Sequence, residues 1–115
     1  MFKKGNVFEE NQHNSWVYGS FMDGIAKDDR VEIKVVKLDK TFSSKPHFQK
    51  TATKIDIIWE GSGIWQVNGE DVELRKGDYL ITPPKTTVCI KQVLSDEIIV
   101  QTIKLPSLPE DKVMV

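Results

Sequence analysis

Residues 54–84, KIDIIWEGSGIWQVNGEDVELRKGDYLITPP, follow each short apolar run at once with a residue that turns the backbone. The Ile-rich run 54–59 stops at Glu60-Gly61-Ser62-Gly63, and residues 64–67 run into Asn68-Gly69, the dipeptide best suited to a two-residue hairpin turn. Residues 71–74 alternate charged with apolar side chains up to Lys76-Gly77-Asp78. Residues 79–82 then end at Pro83-Pro84, which a central strand does not tolerate. Turns at this spacing leave no length for a helix, so the segment predicts a series of short antiparallel strands.

Residues 1–14 are polar and predict a surface arm, in which His13 stands among amides without a spaced partner and reads as solvated. Trp16, Tyr18 and Phe21 suggest a strand interrupted by Gly19, and Asp23-Gly24 opens a charged loop. In residues 31–38, VEIKVVKL, a period of two puts Glu32, Lys34 and Val36 on one face and Val31, Ile33, Val35 and Lys37 on the other. Residues 41–53, with His47 directly after Pro46, have few apolar side chains and read as a loop or an irregular edge. Residues 88–94 and 98–105 add two β-rich runs, and the tail from Pro106, with two prolines, is expected to leave the sheet. The count is about eight to ten short strands. The chain is therefore expected to be all-β, with an arm (1–14), one β domain (15–105) and a tail (106–115), arranged as a sandwich or a barrel.

Composition excludes several functions. A chain of 115 residues sustains one core and no second domain. Lys and Arg number 16 against 17 Asp and Glu, a net charge of -1, so no positive field draws a nucleic-acid backbone. Cys89 is the single cysteine, which rules out an internal disulfide and a thiolate zinc site; a reducing, cytoplasmic setting is expected. No leader and no apolar run approaching the roughly 18 residues of a membrane span is seen, so no membrane partner is expected. Ser62 lies in Gly-Ser-Gly, which is not a nucleophile elbow, and no phosphate-binding glycine loop occurs.

Residues 41–105 resemble the cupin superfamily, whose barrel is a double-stranded β-helix of the jelly-roll kind. The first cupin motif is Gly, five residues, His-x-His, three or four residues, Glu, six residues, Gly. Laid with its last glycine on Gly61, it puts His47 and Gln49 at the two histidine positions, Lys54 at the glutamate and Thr41 at the opening glycine. The second motif, Gly, five residues, Pro-x-Gly, two residues, His, three residues, Asn, takes Gly77 and Pro83. Lys85 then stands for the glycine, Val88 for the histidine and Gln92 for the asparagine. The resemblance implies a cupin-type jelly-roll barrel. It also implies a metal held by three imidazoles and a carboxylate, of which only His47 remains; no metal or other cofactor is therefore expected, His47 being the sole candidate ligand.

With Lys54 at the glutamate position, alternation turns Lys54, Asp56 and Ile58 into the barrel and Ile55, Ile57 and Trp59 outward. The expected pocket holds His47, Gln49, Lys54, Asp56, Trp65 and Val88. Two readings of its charged pair stand open: Lys54 presents a polar constellation to an anionic or hydroxylated small molecule, or Lys54 and Asp56 neutralise each other. Trp65 reads as pocket lining or plain core, and Cys89 as a small buried side chain pointing away from Val88. The outward stripe calls for cover, by a second copy in a homodimer or by the N-terminal segment around Trp16 and Phe21. Three functions follow: a metal-free small-molecule-binding or sensing module; an enzyme of the isomerase, epimerase or dioxygenase type; or a structural, partner-binding protein.

Overall fold

Asn68 and Gly69 both take left-handed backbone, φ 50° and 83°, and close the hairpin that their sequence predicts. The computed structural model that shows this describes residues 1–9 and 15–115, so the solvated reading of His13 lies outside the described residues. Among them ten strands form. They are β1 (Trp16–Tyr18), β2 (Glu32–Asp39), β3 (His47–Gln49), β4 (Thr53–Glu60) and β5 (Ser62–Val67). There follow β6 (Glu70–Arg75), β7 (Tyr79–Thr82), β8 (Val88–Val93), β9 (Glu97–Leu105) and β10 (Lys112–Met114). A 3-10 turn, Gly24–Ala26, follows β1.

The strands make two five-stranded sheets, ordered β1-β2-β9-β4-β7 and β10-β3-β8-β5-β6, with every named pairing antiparallel. Their facing sides enclose Ile58, Trp65, Leu74, Val88, Val93, Ile98 and Val100, the apolar core. Fully burying side chains of this kind stabilises a fold by about 1.5–3 kcal/mol each. Gly61 sits where β4 turns into β5, at φ 83°, and a Cβ there would run into the carbonyl of Glu97, so no other residue closes this corner.

Two sequence expectations are corrected. The segment after Pro106 does not leave the sheet: it turns at Asp111, and Lys112, Val113 and Met114 pair with Gln49, Phe48 and His47. The carboxylate of Asp111 accepts the backbone N–H groups of Thr51 and Ala52 at 2.8–3.0 Å, and this side-chain cap holds the returning strand against β3. Residues 41–53 are likewise not loop throughout, because β3 forms in their middle; its pattern of alternating burial is too short to signal a strand on its own.

On the outer face of the first sheet Ile33, Ile103, Ile55 and Ile81 fall in one cross-strand row. Ile55 and Ile57 are half-buried, whereas Trp59, Tyr79 and Ile81 are exposed. Trp16 and Phe21 do not cover this stripe, since the Trp16 ring lies against Lys34 and Lys104 of the inward face and Phe21 packs edge-on to it. No helix among the described residues is long and apolar enough to cross a membrane.

Candidate functional site

The barrel interior changes character in tiers, and the pairing register dictates how. On the inward face of the first sheet, Glu32, Lys104, Lys54 and Thr82 form one cross-strand row, Lys34, Thr102 and Asp56 the next, and Val36, Val100 and Ile58 the third. Because inward positions recur every second residue, these rows are stacked neighbours: charged, then mixed, then apolar. A cavity of about 200 Å³ opens over them. Its walls carry four lysines (Lys34, Lys54, Lys104 and Lys112) against one carboxylate, Asp56, with His47, Trp65, Val88 and Cys89 closing the far side. A larger groove, about 320 Å³, runs between the N-terminal segment and residues 17–26, with Lys3 the only charged lining residue among the described residues.

Lys54 lies at the centre of the polar end, only 7% exposed. Its Nζ is 3.4 Å from Nε2 of His47 and 4.0 Å from Oδ2 of Asp56, whose Oδ1 accepts the hydroxyl of Thr102 at 2.6 Å. The other ring nitrogen of His47, Nδ1, is 3.0 Å from the carbonyl of Lys45. A carbonyl can only accept, so Nδ1 carries the proton and Nε2 turns its lone pair toward the Lys54 ammonium. Burial, opposed by the Lys45 carbonyl and reinforced by the nearby lysines, holds this imidazole down at about 4. Burial likewise lowers Lys54, with Asp56 opposing it and Lys112 adding to it. Lys34 is lowered chiefly by burial, and Lys104 is brought down to about 8 by burial against the opposing pull of Glu32.

No protein-family profile matches the sequence and no curated protein is similar to it. Solved structures are. An uncharacterised protein with a double-stranded β-helix domain from Klebsiella pneumoniae superimposes over 100% of this chain and 98% of its own, with a TM-score of 0.74 at 13% identity. A cupin protein from Bacteroides fragilis is 24% identical, with a TM-score of 0.62, over 67% of this chain and 66% of that one. The DMSP lyase DddQ from Ruegeria pomeroyi is 18% identical, with a TM-score of 0.67, over 77% of this chain and 45% of the lyase. The chain has the cupin fold.

The cupin register inferred from the two motifs agrees with the pairing: His47 is the cross-strand partner of Val88, and Lys54 reaches the same imidazole. Lys85, at a glycine position of the second motif, takes φ 68°, the left-handed backbone a glycine there would adopt freely. The residues do not fit the metal of the family's pattern. The imidazole lone pair that would bind a cation is directed at an ammonium, Val88 has no donor atom, and among the described residues no group of three or more His, Cys, Asp and Glu could hold a metal.

The cavity brings together five of the six expected pocket residues, His47, Lys54, Asp56, Trp65 and Val88. Gln49 is not among its walls. It is buried beside them with neither amide atom hydrogen-bonded. Trp65 is both core and lining, since its ring, 1% exposed, spans from the apolar cluster to the cavity. Cys89, expected to point away from Val88, is buried and contributes to the same wall, next to a register shift between β5 and β8. Sequence reasoning missed Lys34, Lys104, Lys112 and Thr102. A signal existed for Thr102 and Lys104: Ile98, Val100, Thr102 and Lys104 share one face of β9, and the first three are buried. Lys112 had none, because its strand was read as a tail.

Proposed function

We propose that this cupin-fold chain is a small-anion-binding or sensing module whose ligand sits at the charged end of the barrel, between Lys54 and Lys104. One observation carries the reading: four lysines face a cavity that offers them a single carboxylate. Asp56 is already engaged by Thr102 and pairs with Lys54 at 4.0 Å, one loose ion pair for a wall of four lysines. Ammonium groups in a wall of low polarity are costly unless an anion meets them. Mutual neutralisation sets two carboxylates, Asp56 on the wall and the buried Glu32 beside Lys104, against the four lysines, and so leaves cationic groups in excess among the described residues. The volume suits a ligand smaller than a drug-sized molecule, such as inorganic phosphate or a short carboxylate.

Burial pushes protons off Lys34, Lys54 and Lys104, and an anion among them would draw protons back. Binding is therefore accompanied by proton uptake. The test is titration calorimetry of the purified chain with phosphate, pyruvate, acetate and neutral glycerol, in buffers of different ionisation enthalpy. Anions are expected to bind, weakening with added salt and taking up protons, while Lys104→Met loses roughly ten- to hundredfold in affinity, as befits a hydrogen bond to a charged group. Equal affinity for glycerol, or anion binding that Lys104→Met and Lys34→Met leave unchanged, sinks the reading.

A further inference from the structure

We propose that Lys54 is a nucleophilic amine that condenses with the carbonyl carbon of a short 2-oxo carboxylate, while the lysines beside it hold the carboxylate. The step presupposes that the cavity takes anions and adds covalent chemistry to that binding. The arrangement divides labour among the lysines. Lys34 and Lys104 each place Nζ about 5 Å from the centre of the Trp16 ring, 5.0 and 5.1 Å, a contact that offsets part of what burial costs their charged forms and suits them to anchor an anion. Lys54 has no such ring. It lies deeper, with Nζ 3.4 Å from Nε2 of His47, and burial and Lys112, opposed by Asp56, push it toward the neutral amine that attacks a carbonyl.

Lys54 and Lys104 are direct cross-strand partners on the inward face, so their stems start about 5 Å apart. Both side chains line the same cavity, so one small molecule can meet Lys104 with its carboxylate and Lys54 with its carbonyl. A short 2-oxo acid carries the two groups on adjacent carbons, which suits a cavity of only about 200 Å³.

The chemistry balances without any co-reactant. The Lys54 nitrogen lone pair forms a bond to the carbonyl carbon as the carbon–oxygen π pair moves onto oxygen. The proton leaving nitrogen passes by way of Nε2 of His47 to that oxygen, giving a carbinolamine. The nitrogen lone pair then forms the carbon–nitrogen double bond as the hydroxyl takes a proton from solvent and leaves as water, and the product, which keeps its N–H, is a protonated imine. His47 is held for this by its Nδ1–H bond to Lys45, and Asp56, fixed by Thr102, stands ready to face the positively charged imine nitrogen.

The experiment incubates the full chain with pyruvate and sodium cyanoborohydride, which reduces an imine to a stable secondary amine, and maps adducts by peptide mass spectrometry. Calorimetry with pyruvate and with acetate, which has no ketone, runs alongside. The expected result is one dominant adduct, on Lys54, formed at least about tenfold faster than on exposed Lys76, slowed by acetate in competition and slowed again in His47→Gln. Pyruvate that binds by calorimetry but leaves no adduct, or adducts spread over the exposed lysines, overturns the covalent step and leaves anion binding intact. Absence of binding by both pyruvate and acetate overturns anion binding, and the imine with it.

Discussion

Nζ of Lys54 faces Nε2 of His47 across 3.4 Å, so a lysine amine points into the one lone pair that the cupin motif would have used for a metal. The group at the centre of the barrel is thus a side chain, fixed on β4. Around it the inward face of β2 and β9 adds Lys34 and Lys104, and β10 adds Lys112.

The buried imidazole gives stability a definite pH dependence. His47 is held at about 4 when folded and titrates near 6.5 when unfolded. Between those values the unfolded chain binds the proton and the folded chain does not, so this group's contribution is complete above pH 6.5 and is lost as pH falls toward 4. The advantage of the wild-type chain over His47→Gln in urea midpoint is expected to shrink through that window and then level off. Lys104, at about 8 when folded against 10.5 when unfolded, adds a rise in stability from pH 8 to 10.5, which Lys104→Met removes. A difference between wild type and His47→Gln that stays constant from pH 7 to 4 contradicts the assigned neutral imidazole.

Backbone conformation at Lys85 makes a second prediction. Its φ of 68° follows two prolines, and its N–H donates to the carbonyl of Gln49 at 2.7 Å, so the chain cannot relax out of this turn without losing that bond. A left-handed residue with a Cβ costs about 1–2 kcal/mol, and a glycine returns part of that through the entropy of the unfolded chain. Lys85→Gly is expected to raise unfolding free energy by about 0.5–1 kcal/mol. Gly61→Ala, with φ 83° and the Glu97 carbonyl in the way, is expected to lower it by more than about 2 kcal/mol. Chemical denaturation of the two variants checks both signs.

Much of the fold was legible because turn chemistry is local. Asn68-Gly69, Gly61 and Pro83-Pro84 each state their backbone geometry in the residues themselves, and alternation along β4 was enough to turn Lys54 and Asp56 inward. The rest depends on distant pairing. Lys112 reaches the cavity only because Asp111 caps Thr51 and Ala52, some sixty residues away, and nothing in PSLPEDKVMV announces that return. Lys34 shares a face with Glu32, so that face of β2 looked like the wet one; its inward direction follows from pairing with Thr102, and a charged inward face makes sense only once the cavity is seen.

The cap at Asp111 is testable in its own right. Its carboxylate, whose burial is outweighed by the N–H groups of Ala52 and Thr51, stays below the usual carboxylate range. Asp111→Ala leaves the buried N–H of Ala52 without its acceptor, and is expected to cost about 1–3 kcal/mol of stability. It also loosens β10, and with it Lys112, so phosphate affinity is expected to fall even under conditions where the variant is fully folded. Amide hydrogen exchange at Phe48 and Val113 should quicken in step. Unchanged exchange there, alongside lost stability, would show that the cap does not hold the strand.

The reassignment of the metal position is reversible by design. Val88 pairs with His47 across β3 and β8, and Lys54 already reaches the same imidazole, so Lys54→Glu combined with Val88→His sets two imidazoles and a carboxylate around one point. That donor set is one that zinc accepts, with water completing the sphere. Competition against a chromogenic chelator is expected to show stoichiometric zinc binding, at least about tenfold tighter than to the wild-type chain. Phosphate binding is expected to weaken in apo Lys54→Glu, because an inward ammonium has become an inward carboxylate. Val88→His alone leaves the ammonium in place, and electrostatic repulsion should keep its gain in zinc affinity small. If the double variant holds zinc no better than Val88→His, Lys54 does not occupy the carboxylate corner, and the alignment of this barrel with the cupin motif is off by at least one residue.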